Sequence, residues 1–388
     1  MMRKAFDFLA SLKLTIVCLA AALVLVFAGT LAQVHNGINI VQERYFQSLF
    51  VWFPPDGHGL RFPVFPGGHL IGGILLINLI AAHARRFRWG WKKLGIHLTH
   101  AGLIVMLAGG LMTDLFAIES QMRLGPGNTK NYLEDPRAME LAIIDTTDAE
   151  LDQVTAIPDA VLRRRHEIDH PSLPFRVLVR HYFQNSQLHM AKDHTGQMAP
   201  LANQGIGAQV AVQSLPRATA PDERDVVSAV VELIPREPGA PSLGTWLISE
   251  SLGSPQIFSF GGKSWRIEMR SARYYRPYSV TLQRFTHEKY AGTEIPKNFA
   301  SRVTLIDPER QTNRDVLIYM NHPLRYRGDT FYQAGFQKDD SASILQVVHN
   351  PGFVTPYLAC VIVAAGLLVQ FGYHLTSFSR RRRALALA

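Results

Sequence analysis

Two hydrophobic rhythms divide this chain. In the first 116 residues and again near the C-terminus, apolar residues run almost without interruption. Four such stretches, Leu14 to Val34, Gly67 to Ala84, Leu94 to Phe116 and Val354 to Phe378, approach or exceed the roughly 20 helical residues needed to cross a hydrocarbon core. Between Glu119 and Asn350 the period instead becomes alternating, as in Phe175-Val177-Val179, Trp265-Ile267-Met269, Val280-Leu282, Val303-Leu305 and Ile344-Gln346-Val348. That period predicts half-buried strands. Turn chemistry separates them at Gly125-Pro126-Gly127-Asn128, Pro238-Gly239-Ala240-Pro241, Gly261-Gly262 and Asp307-Pro308. A sandwich or open barrel of about ten strands is expected, with a helical interruption near Pro158 to His166.

The fold class is therefore an α-helical membrane protein of four transmembrane helices, with a large β-rich domain, all-β or α+β, inserted between helices three and four. Residues 1–116 form the membrane domain, with helices at about 14–34, 67–84 and 94–116. Residues 117–353 form the β-rich domain, and 354–388 hold a helix at about 354–378 and a basic tail. Arg3, Lys4 and Lys13 precede the first apolar run, as in a signal peptide. That run exceeds a signal h-region of about 7–15 residues and reads as a retained anchor.

Charge fixes the orientation. The chain is 47% hydrophobic and 18% charged with a formal net charge of +9, and much of the excess lies in Arg85 to Lys93 and in Arg380 to Arg383, both flanking apolar segments. Lys and Arg beside helix ends stay on the cytoplasmic face. One solution satisfies every run: both termini cytoplasmic, and the β-rich domain periplasmic in a bacterial inner membrane. Trp89, Trp91 and Tyr373 then fall at the interfaces, where aromatic residues gather. Basic residues distributed in this way argue against nucleic-acid binding, which calls for a basic patch on a folded domain.

Candidate chemistry is sparse. The two cysteines, Cys18 and Cys360, both lie in apolar runs, and no C-x-x-C-H or paired C-x-x-C is present, so neither covalent haem attachment to this chain nor a thiol-based zinc site is expected. His166-Glu167-Ile168-Asp169-His170 matches H-E-x-x-H, which on a helix places two histidines on one face for zinc. Pro171 and Pro174 follow it and Arg163 to Arg165 precede it, so a charged loop or helix end is the expected form, and a periplasmic zinc hydrolase using His166, Glu167 and His170 is the remote alternative. Gly205-Ile206-Gly207 lacks the third glycine of a dinucleotide site and reads as a turn. There is no P-loop and no G-x-S-x-G.

Histidines inside apolar runs carry more information, because ionisable groups in a bilayer are costly. His69 lies at the outer start of the second helix. His83 ends that helix, and His97 and His100 share one face at the start of the third. His83, His97 and His100 thus converge at one depth near the cytoplasmic side, where neutral imidazole suits haem iron. His349, just before the last helix, is a further candidate to face haem at the outer surface, although an ordinary interfacial residue is the simpler expectation.

The chain resembles the ResB family of cytochrome c biogenesis proteins over nearly its whole length. The resemblance rests on Leu12-Lys13-Leu14-Thr15-Ile16, on Gly29-Thr30 with Gln33, and on Thr99-His100-Ala101-Gly102-Leu103. It continues through Asn298-Phe299-Ala300-Ser301, Tyr319-Met320-Asn321-His322-Pro323-Leu324, Gly328-Asp329-Thr330-Phe331-Tyr332-Gln333 and Val348-His349-Asn350-Pro351-Gly352. It implies a system II subunit that, with a CcsA-type membrane partner, carries haem b across the membrane and attaches it to apocytochrome c. It also implies that an intramembrane histidine, His100 here, ligates the haem iron, with His97 and His83 beside it. The tryptophan-rich segment of the partner is absent, so no enzyme activity is expected of this chain in isolation. A structural assembly factor that never touches haem is the alternative. The block from Asn321 to Gln333 is expected to be a turn between strands rather than a site.

Overall fold

The structure is a computed structural model that describes residues 2–54, 60–87, 90–191, 199–218, 224–290, 292, 296–337 and 341–386. Arg88 and Trp89 lie outside the described residues. Six α-helices occur among those described: α1 (Met2–Leu9), α2 (Leu12–Val41), α3 (Gly68–Arg86), α4 (Leu94–Phe116), α5 (Asp159–Arg164) and α6 (Thr355–Ala386). Of these, α2, α3, α4 and α6 are long and apolar enough to cross a membrane. Their outward faces carry large apolar side chains, such as Leu23 and Leu368, each 72% exposed within the chain.

The first span is longer than the hydrophobic pattern predicts. Ser11 caps its start by accepting from the Leu14 amide, and the helix passes Val34 because nothing in the following residues stops it. Only Gly37, at φ +73°, kinks it, and Gln42–Phe46 prolong it as a π-helical turn. A short hairpin of Phe50–Phe53 and Phe62–Pro66 then leads into α3. This hairpin was not foreseen, since two short runs broken by prolines give little alternation to read.

The spans pack as two pairs. Cys18 and Leu25 of α2 are buried with Ile71 of α3. Asn78 of α3, 2% exposed, accepts from the Thr15 hydroxyl at 2.6 Å and donates to the Leu9 and Ser11 carbonyls at 2.6 and 3.0 Å. In the other pair, Gly95, Gly102 and Gly109 of α4 meet α6 almost backbone to backbone. A Cβ at Gly95 would lie 2.7 Å from the Gln370 amide and the Gly366 carbonyl, and one at Gly102 would lie 3.0 Å from the Ala359 carbonyl. Small residues permit such approach in the absence of a hydrophobic drive between helices in lipid.

In chain order the strands from Ile118 to His349 fall between α4 and α6. Ten of them form one sheet, and a second sheet of four strands packs on it. A 17-residue strand, Thr129–Asp145, and a 27-residue strand, Lys263–Lys289, run side by side through the large sheet and serve two cores. Toward one end Leu141, Ile143, Trp265 and Ile267 pack against Phe175, Val177, Val231 and Leu233 of the four-stranded sheet. Toward the other end the large sheet curls into a barrel around Met122, Leu133, Tyr278, Val280, Leu282, Val303, Leu305, Phe331, Leu345 and Val347.

The expectation of about ten strands matches the large sheet but omits the second one. One phase is also corrected. In the strand Ser343–His349 the buried side chains are Ser343, Leu345 and Val347, whereas Ile344, Gln346 and Val348 are half-buried on the other face.

Candidate functional site at the inner end of helices α3 and α4

The basic sequence after α3 ends that helix at Arg86. Phe87 is extended, and a 3-10 turn over Trp91–Lys93 reverses the chain into α4. The reversal brings His83 beside the first turns of α4. Its ring centroid lies 5.2 Å from that of His97 and 5.8 Å from that of His100, the second pair nearly parallel at 28°. Phe87 covers His97 at 4.7 Å. All three imidazoles are half-buried.

His100 is the most defined of them. Its Nδ1 lies 2.8 Å from the Ile96 carbonyl oxygen, and a carbonyl can only accept, so Nδ1 carries the hydrogen. In the neutral ring Nε2 then holds a free lone pair, the form in which imidazole binds iron. Arg86, Lys92 and Lys93 are exposed at the same end, where cations suit the carboxylates of a porphyrin. Arg85 is engaged otherwise, in an ion pair of 3.0 Å with Asp7 of α1.

A further imidazole, His374 of α6, lies one turn beyond Gln370, which touches Gly95 of α4. Its Nε2 is 2.7 Å from the Gln370 amide nitrogen. The sequence reading passed over it, although its place four residues after Gln370 in an apolar helix was a readable signal. At the opposite end of the same helices, His69 of α3 pairs with Asp114 of α4, and Gln47 donates to Asp114 at 2.9 Å.

The H-E-x-x-H segment does not form a zinc helix. Helix α5 stops at Arg164, and Glu167 and Ile168 are in a strand paired with Val177 and Leu178. Glu167 is bound to Arg176 and Asp169 to Arg236, while His170 meets Ser172 at 2.7 Å. Without a helix the two histidines do not share a face, and no group of three or more side chains able to hold a metal occurs among the described residues. Gly205 to Gln209 form a 3-10 turn.

The block from Asn321 to Gln333 is a turn and hairpin built on special backbone. Asn321 and Arg327 have φ of +63° and +46°. Arg327 and Tyr326 both bind the buried Asp307, and Asp329 receives Arg276 and Tyr278.

Residues 241–344 match the model of the ResB-like family. They cover the second half of the β-rich region, including the Asn321 to Gln333 block, and not the helices that carry the histidine cluster. A curated relative, the protein NrfI of Wolinella succinogenes, is 33% identical over 92 residues, which is 24% of this chain and 10% of that protein. The matched stretch is thus about a tenth of the relative's length.

Proposed function

By residues 241–344 the chain belongs to the ResB-like family, and from that premise we propose that it is an accessory subunit of cytochrome c maturation that receives haem at the inner end of α3 and α4. The observation that carries the reading is the fixed tautomer of His100. Its Nδ1 is held on the Ile96 carbonyl, so Nε2 is the atom that ligates iron, with His83, His97 or a partner's histidine beside it. Haem is the cargo, and the chain's residues orient it. The apolar helix surfaces take the porphyrin face, and the cations at this end take its carboxylates. A CcsA-type membrane protein is the proposed partner and apocytochrome c the recipient. In this reading both chain termini lie in the cytoplasm and the β-rich region in the periplasm, a topology that the basic runs beside the helix ends support.

The test is the absorption spectrum of the protein purified from membranes with and without the partner, for the natural sequence and for His100→Ala. The Soret band is expected to weaken in the variant and to recover when free imidazole is added. Equal haem content in both proteins would instead favour a scaffold that docks the partner without touching haem.

A further inference from the structure

The barrel is closed toward the helices by a polar layer. His349 ends the strand Ser343–His349 and pairs with Ile118 on one side and Asp329 on the other. It shares the inward parity of Leu345 and Val347, so its ring lies over the mouth of the barrel. Asp329 is 2% exposed. It accepts from Arg276 Nε at 2.7 Å and from the Tyr278 hydroxyl, and its Oδ1 is 2.9 Å from His349 Nδ1. Burial pushes this carboxyl up, but the bonds from Arg276, Tyr278 and His349 outweigh it and hold the group below the ordinary carboxylate range.

An ionised carboxylate only accepts, so the hydrogen of His349 is on Nδ1 and the lone pair on Nε2. The ring also rests on Gly328. That residue has φ +86°, and a Cβ there would lie 2.8 Å from His349 Cε1. Two constraints therefore fix the ring while the side chain stays 42% exposed. Among the described residues no hydrogen bond engages Nε2. Asp329 also accepts from Arg276 and Tyr278, so the carboxylate keeps two partners without this imidazole.

A single oriented imidazole is a poor site for a bare cation, which takes several protein ligands. The described residues contain no cluster of three or more histidine, cysteine or carboxylate groups able to hold one. A porphyrin supplies four donors itself and asks the protein for an axial ligand. The rim suits it, with Ile118, Phe353 and Val354 exposed and the Arg325 guanidinium 5.0 Å from the Phe353 ring centre, a cation within reach of a propionate. From His100 to Phe116 the helix α4 extends about 24 Å, at about 1.5 Å per residue, close to the depth of a hydrocarbon core.

We infer that His349, positioned by Asp329, is an axial ligand for haem iron at the outer end of α4, opposite the His100 site. The inference rests on the haem-handling reading, so its test separates the two. The full chain in detergent is titrated with ferric haem and followed by absorption and electron paramagnetic resonance, for the natural sequence, His100→Ala, His349→Ala and the double variant.

Each single variant is expected to lose one of two equivalents, and the double variant both. His349→Met is expected to shift the spectrum rather than abolish it, which a misfolded protein would not do. Asp329→Asn is expected to weaken the His349 site about 10- to 100-fold and leave the other unchanged. Unchanged stoichiometry and spectra in His349→Ala and His349→Met, with haem lost from His100→Ala, would overturn this inference alone. No binding by the natural sequence would remove both readings. Zinc bound through His349 with no haem there, measured by calorimetry, would overturn the choice of ligand.

Discussion

The seam between α4 and α6 and the β-rich region are held together by opposite means. Where α4 meets α6 the contact is close fit: three glycines seven residues apart on α4 lie against Ala359, Val363, Gln370 and Thr355 of α6. The barrel and its neighbouring sheet add ion pairs to their apolar cores, with Asp329 on Arg276, Asp307 on Arg327, Glu140 on Arg270 and Asp145 on Lys263. Buried charge costs several kcal/mol per ion unless fully paired, and lipid offers no water to share that cost. Each region uses the device its surroundings tolerate. Perturbations of charge and of volume should therefore fall on different halves of the molecule.

The largest expected effect is on charge. Asp329→Ala leaves Arg276 and Tyr278 without their shared acceptor and should destabilise the β-rich region by about 3–5 kcal/mol. Proteolysis of the barrel strands should report this while the helices stay protected. A loss shared equally by both regions would break the distinction.

Next comes volume. In Gly102→Val the Cβ would lie 2.6 Å from Val363 Cγ2 and 3.0 Å from the Ala359 carbonyl, and an overpacked contact of this kind costs about 1–3 kcal/mol. Thermal melting in detergent should show the helical signal weakened first.

The smallest effect is on acid response. Lys263, followed by Thr147, holds the Asp145 carboxyl at about 2. A carboxyl depressed in the folded state contributes stability above its unfolded value of about 3.9, and that contribution is lost as pH falls from there toward 2. Lys263→Met should raise the acid midpoint of the β-sheet signal slightly, because part of that contribution is removed, and leave the helical signal unmoved. An unmoved β-sheet midpoint would show that this pair is not part of the acid response.

The four spans were legible because long apolar runs have one interpretation in a chain of this charge pattern. So was the meeting of His83, His97 and His100, since a short hairpin and a three-residue spacing fix depth and face. Less was legible where both faces of an element are alike. Ile344, Leu345, Val347 and Val348 are all apolar, so alternation gave no side and the wrong phase was chosen. The bond between His349 and Asp329 joins two neighbouring strands, and its register was beyond any local pattern. The glycine seam was readable as a small residue every seventh position, a spacing that a search for apolar runs does not weigh. Asn78 looked like one more residue of an apolar helix until its three partners came together.

Ala117 alone separates α4 from the strand that begins at Ile118. That strand lies against His349, whose neighbour Asn350 accepts from Thr113 of α4 at 3.2 Å. The joint has almost no slack. The paired strands Ile118–Leu124 and Ser343–His349 thus tie the β-rich body directly to the helix pair. A turn of a few degrees between α4 and α6 would swing its far tip by several ångströms, carrying motion outward without any hinge.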